Sequence, residues 1–136
     1  MVMYIDANIF ILAILDRGIK GDRARSFIQE VRLNKREAFT SSLTYDEVVW
    51  VVRGEQGREF ALKAGKVFLN LRNLVLLEAN REIVSLAQSL MEKGSLDPRD
   101  AIHAVTAMRN KISTILSEDR AFDKVSELKR VSLAQL

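Results

Sequence analysis

The chain has 136 residues, of which 48% are hydrophobic, and a formal net charge of +3 from 21 basic and 18 acidic side chains. This length predicts a single domain over residues 1–136, and the hydrophobic content excludes a disordered chain. The lack of cysteine excludes disulfides and thiolate metal sites, and the single histidine disfavours a zinc site built on imidazoles. Any metal would therefore have oxygen ligands.

The first apolar segment, VMYIDANIFILAIL at residues 2–15, contains one aspartate, Asp6, and one asparagine, Asn8. It is too short to span a bilayer, which takes about 20 apolar residues, and it lacks the flanks of a signal peptide. We therefore expect no membrane association and a cytoplasmic location. The segment predicts a buried strand over residues 2–6 and a helix that continues to about Asp16.

Hydrophobic periodicity predicts the remaining elements. Two glycines indicate a turn at 17–22, and helical spacing follows at 23–35, 43–54, 58–71, 81–93 and 98–110. Further strands are expected at 38–41, 74–77, 112–116 and 130–133. The VVWVV run at 48–52 is expected in the core, with a dimer contact as the alternative. The helix over 58–71 is expected to place on one apolar face Phe60, Ala64, Val67, Phe68 and Leu71.

Continuous apolar strands that alternate with helices predict the fold class. They favour an α/β protein, a three-layer α/β/α sandwich whose central, mainly parallel sheet has about four or five strands. In such sheets, ligands bind beyond the carboxyl ends of the strands. Asp6 ends the first strand and Asp119 follows the strand ISTIL, so both are expected to face one crevice.

Four acids are positioned to converge there, and each also has a local explanation. Asp6 fits the N-cap of the helix that follows it. Glu47 fits a capping box that begins three residues earlier, at a threonine. Asp100 lies in the first turn of the helix opened by Pro98, where an acid is favourable, and Asp119 belongs to the polar turn SEDRAFD.

Taken together and in this order, the motifs resemble the PIN-domain family of metal-dependent ribonucleases. The resemblance covers essentially the whole chain and rests on YIDANIF, the glutamate of SSLTYDEVVWVV, SLDPRDAIHAVTAM and ILSEDRAFDKV. Within the family, the chain is most similar to the small stand-alone VapC-type toxins. The resemblance implies an endoribonuclease whose catalytic, metal-binding acids are Asp6, Glu47, Asp100 and Asp119, with Asn8 and Ser117 in supporting positions.

The cofactor expected for this site is Mg²⁺ or Mn²⁺, since both prefer oxygen ligands. Either ion would lower the pKa of a bound water and neutralise charge on a phosphate. No glycine-rich phosphate loop is present, so a nucleotide cofactor has no support. Asp46 and Asp123 remain open as additional or substitute ligands, although Glu47 is favoured over Asp46. Asp97 is interpreted as a helix cap and His103 as a hydrogen-bonded packing residue.

The resemblance implies an RNA substrate, a cognate antitoxin and a homodimer. Two other functions remain as alternatives: a non-catalytic PIN-like module for RNA binding or assembly, and a receiver-like phosphoacceptor domain. Glu78, rather than an aspartate, follows the third strand, which argues against the receiver-like domain. Basic residues near the predicted crevice are candidates for phosphate contacts, with ordinary solvated surface as the alternative. These candidates are Arg17, Lys20, Arg23, Arg99 and Arg120.

Overall fold

The structure, a computed structural model, describes residues 2–136. Its strands are Val2–Ile5 (β1), Glu37–Ser41 (β2), Leu74–Leu77 (β3), Thr114–Leu116 (β4) and Lys129–Val131 (β5). They form one sheet in the order β3-β2-β1-β4-β5, in which every neighbouring pair is parallel. A receiver-like sheet has the order 2-1-3-4-5 instead. The receiver-like alternative is therefore wrong.

Helices cover both faces of this sheet. They are Ala7–Leu15 (α1), Ile19–Arg32 (α2), Ser42–Gln56 (α3), Arg58–Leu69 (α4), Arg81–Lys93 (α5) and Pro98–Arg109 (α6), and the 3-10 helices are Arg120–Lys124 and Leu133–Gln135. Successive side chains of a strand point to opposite faces. Met3 and Ile5 accordingly join a core formed with α1 to α4, whereas Tyr4 joins a second core formed with α5 and α6. The predicted α/β/α layers are confirmed.

The sheet order brings the carboxyl ends of β1 and β4 together. The two strands pair in register through Ile5 and Leu116, and the Asp6 backbone N–H donates to the Leu116 carbonyl at 3.0 Å. Residues that follow either strand therefore emerge side by side, as the sequence predicted for Asp6 and Asp119. Within residues 2–136, no helix combines the length and apolar character needed to cross a bilayer.

The predicted turn at 17–22 is wrong in its second half. Only Asp16, Arg17 and Gly18 separate α1 from α2, and Gly21 lies inside α2. A Cβ on Gly21 would lie 2.0 Å from the Asp16 carbonyl oxygen. The glycine therefore permits close approach of the two helices and does not break the second one.

Two predicted apolar faces are partly exposed. In α3, Val48 and Val52 are buried one turn apart, but Trp50 is 62% exposed, so VVWVV is only half in the core. In α4, Phe60 and Val67 are 45% and 65% exposed, because the buried stripe of this helix lies mainly on Ala61, Gly65 and Phe68.

Candidate active site

Asp6 is buried at the junction of β1 and α1, where its two carboxylate oxygens have different partners. Oδ1 accepts a hydrogen bond from the Ala7 N–H at 2.7 Å, so the residue does cap α1. Oδ2 accepts from the Ser117 hydroxyl at 2.6 Å. Burial raises the pKa of Asp6, and the nearby His103 and the bond from Ser117 oppose this shift. Helix capping therefore accounts for the hydrogen bond to only one of the two carboxylate oxygens.

Ser117 connects the ends of β1 and β4. Its hydroxyl donates to Asp6 and accepts from the Asn8 amide at 3.3 Å and from the Asp119 N–H at 2.9 Å. A hydroxyl provides one donor and two acceptor positions, so this fully buried side chain is saturated. Asn8 and Ser117 thus lie beside the acids they were predicted to support.

Glu47 lies at the site and takes no part in capping α3, which is capped by a different residue. Ser41 caps this helix by accepting from the Leu43 N–H at 3.1 Å. Thr44 instead lies 2.7 Å from the Thr40 hydroxyl, so the predicted capping box with Glu47 does not form. Glu47 Oε1 lies 2.5 Å from His103 Nε2, while the neighbouring Asp46 is exposed. Of these two acids, Glu47 is therefore the one that contacts His103.

His103 is the contact that sequence reasoning did not foresee. It is fully buried and hydrogen-bonded, as predicted, with Nδ1 2.6 Å from the Tyr4 hydroxyl. Its Nε2, however, faces acids, at 2.5 Å from Glu47 and 3.8 Å from Asp6. Burial lowers its pKa, but the hydrogen bond that it donates to Glu47 and the charges of Asp6, Glu47 and Asp100 outweigh burial and raise the pKa overall.

Together with two of the acids, the imidazole forms a group of three side chains that can hold a metal. One ligand atom each from Asp6, Glu47 and His103 lies within 4.8 Å of the others. The only feature of the sequence that could have indicated that His103 lies at the site is its spacing from Asp100. His103 follows Asp100 by three residues and so lies on the neighbouring turn of the same helix.

Asp100 and Asp119 form the more open side of the site. Asp100 is half-buried in the first turn of α6, and its pKa is raised to about 6 by burial and then by the charges of Asp119 and Asp6. Asp119 is exposed and caps the 3-10 helix that follows it, accepting from the Ala121 N–H at 2.9 Å. The contribution of the neighbouring charges to this shift means that Asp119 and Asp6 repel the ionised form of Asp100.

Two neighbouring acids have other roles. Asp97 occupies the N-cap position of α6, as predicted, but its side chain accepts no capping hydrogen bond. Asp123 pairs with Arg130, whose Nε donates to it at 2.9 Å and whose Nη1 donates to the Ser117 carbonyl at 3.1 Å. This ion pair supports the segment that carries Asp119 and occupies the Asp123 carboxylate.

All five basic candidates for phosphate contact are exposed. Lys20 lies 3.4 Å from Glu118, which also accepts from the Leu133 N–H, so its charge is partly compensated. Within residues 2–136, no ion pair involves the other four, Arg17, Arg23, Arg99 and Arg120.

The donor set fits a hard divalent cation. Carboxylate oxygens dominate it, and oxygen is the ligand that Mg²⁺ and Mn²⁺ prefer. The pKa values of Asp6 and Asp100 are raised first by burial and then by neighbouring carboxylates, Glu47 for Asp6 and Asp119 for Asp100, and a cation would relieve the repulsive part. The geometry can therefore concentrate negative charge at one edge of the sheet and hold a metal ion there.

Comparison with known proteins agrees with this geometry. The family model described as PIN domain matches residues 3–128. Comparison with curated protein sequences finds no match.

Among solved structures, VapBC2 from Rickettsia felis bound to a promoter DNA fragment is 18% identical, with a TM-score of 0.73, covering 97% of this chain and 98% of that one. Mycobacterium tuberculosis VapC20, described as a sarcin-ricin loop cleaving toxin, is 12% identical, with a TM-score of 0.75 and coverage of 93% and 95%. FitAcB from Neisseria gonorrhoeae is 15% identical, with a TM-score of 0.70 and full coverage of both chains, 100% and 100%. At these identities the likeness concerns the fold.

Proposed function

Because the chain belongs to the PIN domain family, we propose that it is a divalent-metal-dependent endoribonuclease and the toxin of a toxin–antitoxin pair. The observation that carries this proposal is the convergence of Asp6 and Glu47 on His103, with Asp100 and Asp119 electrostatically coupled beside them. Family membership supports a nuclease. The acidic edge of the sheet supports a reaction in which negative charge on a phosphate must be neutralised.

We assign the metal-binding role to the four acids. Asp6 and Asp119 would be direct ligands of Mg²⁺ or Mn²⁺, while Asp100 and Glu47 would bind directly or through water and orient the attacking water. Asn8 fixes the position of Asp6 and its neighbours through Ser117. When bound, the ion lowers the pKa of water and neutralises charge on the phosphate.

The proposed substrate is RNA, held by its phosphates at the exposed basic residues around the site. Contacts of this kind provide affinity without base identity and weaken as salt rises. Among structural relatives, VapC20 is described as cleaving the sarcin-ricin loop, which supports structured RNA as a first substrate to test. An RNA substrate also places the protein in the cytoplasm under this proposal.

A nuclease assay on a panel of labelled RNAs tests the proposal. We expect cleavage with Mn²⁺ or Mg²⁺, none in excess EDTA, and weaker RNA binding as salt rises. Full activity in EDTA would contradict the metal mechanism. RNA binding without cleavage under any metal condition would favour the non-catalytic module instead.

The antitoxin proposal has its own structural support in a groove of about 550 Å³ between α1, α2 and α4. The groove is lined mainly by apolar side chains, and its lining also includes Arg25, Arg32 and Arg72. Such a surface suits an amphipathic segment with acidic residues beside its apolar face. Four of the similar structures are described as VapBC or toxin–antitoxin complexes, which favours an antitoxin as its occupant.

Co-purification with the product of an adjacent small reading frame tests this assignment. Val67→Asp introduces a charge into the groove at a side chain that is 65% exposed, so it should abolish co-purification without unfolding the protein. Val84→Asp, at a 47% exposed site on α5 outside the groove, is the matched control and should retain the partner. Equal behaviour of the two variants would contradict docking in the groove.

We also propose that the protein is a homodimer, in line with the resemblance to stand-alone toxins. The exposed Trp50 and Val51 on α3 support this, because exposed large apolar side chains mark contact surfaces. Light scattering of the purified chain should give twice the monomer mass of 15.4 kDa, and Trp50→Ser should shift it toward the monomer. A monomeric wild type at micromolar concentration would contradict the dimer.

A further inference from the structure

His103 has more polar contact than packing alone would require. It is fully buried on α6, and a buried imidazole is favourable only when its polar nitrogens are hydrogen-bonded. Both nitrogens are: Nδ1 lies 2.6 Å from the Tyr4 hydroxyl and Nε2 lies 2.5 Å from Glu47 Oε1. A leucine would fill the same space without needing any of these partners. The two hydrogen bonds therefore distinguish the imidazole from an apolar side chain at this position.

The three residues come from elements on both faces of the sheet. Tyr4 projects from β1 into the core formed with α5 and α6, and α6 is the helix that carries His103. Glu47 lies on α3, whose buried residues Val48 and Val52 belong to the opposite core. His103 thus connects the two layers at the edge where the acids converge.

The hydrogen bond to Glu47 has one direction in every arrangement that leaves Glu47 ionised. When the Tyr4 hydroxyl donates to Nδ1, the neutral ring carries its proton on Nε2 and donates it to Glu47. When the ring is doubly protonated, Nδ1 donates to the Tyr4 oxygen and Nε2 still donates to Glu47. The Nε2 proton therefore lies between imidazole and carboxylate, where a metal bound to Nε2 would have to be.

We propose that Tyr4 and His103 are positioning residues that hold Glu47 Oε1 and present only its second oxygen to the metal and its water. This inference rests on the proposed function. Under this proposal His103 is not a metal ligand, although its imidazole lies close enough to the acids to be one. Hydrogen-bond partners of metal-binding groups typically change metal affinity or activity about 10- to 100-fold when removed.

Titration with Mn²⁺, followed by the electron paramagnetic resonance signal of the free ion, tests the proposal. His103→Leu removes the donor and should weaken Mn²⁺ binding about 10- to 100-fold. His103→Gln keeps an N–H in place of Nε2 and should recover most of that loss. Thr106→Val, a buried change one turn along α6 where the hydroxyl contacts only the Ile102 carbonyl, should bind Mn²⁺ like the wild type.

Pulsed resonance on the Mn²⁺-loaded wild type provides an independent test. We expect no modulation from a directly bound ¹⁴N, and a directly coordinated nitrogen would overturn the proposal by making His103 a ligand. Wild-type affinity in a folded His103→Leu protein, or equal losses in the Leu and Gln variants, would also overturn it. If the Leu variant does not fold, Tyr4→Phe replaces it, with weaker Mn²⁺ binding expected and unchanged binding contradicting the role of Tyr4.

These outcomes separate the two proposals. A wild type that binds no Mn²⁺ and cleaves no RNA would contradict the proposed function. A wild type that does both, with a folded His103→Leu variant equally competent, would contradict only the positioning role.

Discussion

The two sides of the acidic site are held by different forces. Asp6 and Glu47 are fixed by short hydrogen bonds to buried partners, Ser117 and His103. Asp100, on the other side, accepts no hydrogen bond within residues 2–136, and its pKa is raised to about 6 by burial and by neighbouring charges. The first side is therefore organised without a cation, whereas the second remains electrostatically unfavourable until a cation binds.

This difference predicts how each side responds to change. Replacing a group on the fixed side should disturb positions, because its partners are buried and lose their hydrogen bonds. Neutralising a group on the open side should remove repulsion, and should stabilise the metal-free fold while weakening metal binding. A substitution on the side of Asp6 and Glu47 should therefore lower activity, metal affinity and stability together. A neutralising substitution on the side of Asp100 and Asp119 should lower activity and metal affinity but raise the stability of the metal-free protein.

The largest effect is expected on catalysis. Asp6→Asn and Asp100→Asn should each reduce RNA cleavage about a thousandfold or more, because each removes a charge from the proposed metal site, a contribution of several kcal/mol. Both changes preserve shape, so the melting temperature should show a folded protein. Asp46→Asn, at an exposed neighbour of Glu47, is the control and should cleave normally. Turnover like that of the wild type in either site variant would remove that acid from the mechanism.

A smaller effect is expected where the fixed side is disturbed indirectly. Ser117→Ala deletes the hydroxyl that bonds Asp6, Asn8 and the Asp119 N–H, and should weaken Mn²⁺ binding about 10- to 100-fold. It should also lower the free energy of unfolding by about 1–3 kcal/mol, because buried partners lose their bonds. Calorimetric titration and denaturant melts measure both. Ser113→Ala, exposed just before β4, should change neither, and an equally silent Ser117→Ala would show that the fixed side needs no such support.

On the open side, the expected effect is on stability. An ion present at about 100 times its dissociation constant, bound only by the folded state, adds about 2.7 kcal/mol, or about 10 °C in melting temperature for a chain of this size. Asp119→Asn should raise the metal-free melting temperature by a few degrees and reduce the gain from metal. Asparagine can still cap the following 3-10 helix, so the cap is preserved. Melts with EDTA and with Mn²⁺ at equal ionic strength decide this, and no metal-dependent shift in the wild type would count against a shared site.

Much of this architecture follows from local pattern. Continuous apolar strands indicated a parallel sheet, and Asp6 and Asp119 were placed correctly because residues after neighbouring parallel strands emerge at one edge. The helix over Arg81–Lys93 was predicted residue for residue, since its apolar spacing and flanking glycine agree. Where local signals were consistent, tertiary packing did not change them.

The failures involve tertiary contacts that local periodicity does not encode. His103 and Glu47 are 56 residues apart and Tyr4 and His103 are 99 apart, so spacing alone could not reveal their chain of hydrogen bonds. Gly21 looked like a turn signal because glycine is common in turns, whereas here it lies inside α2 and permits a close approach to Asp16. Val67 looked like a core residue because an apolar groove and a core require the same side chains.

The smallest predicted effect is a pH dependence of the metal-free fold, to which groups on both sides contribute with the same sign. The pKa of Asp100, at about 6, exceeds the value of about 3.9 in an unfolded chain, so the folded state keeps a proton that the unfolded state loses. Stability from this group is therefore present at low pH and is lost as the pH rises from about 4 to above 6. Asp6 adds in the same direction, because burial raises its pKa.

His103 contributes with the same sign, because its raised pKa favours the protonated form in the fold and that stabilisation is lost as the pH rises through the folded value. The metal-free protein should consequently melt a few degrees higher at about pH 5 than at about pH 7.5. Asp100→Asn should reduce this difference, while saturating Mn²⁺ should reverse it, because metal binding requires deprotonated ligands. The measurement is a melting series in EDTA and in Mn²⁺ at constant ionic strength. A metal-free wild type whose melting temperature is the same at both pH values would show that the open side is solvated and not electrostatically unfavourable, and the contrast between the two sides would then rest on hydrogen bonding alone.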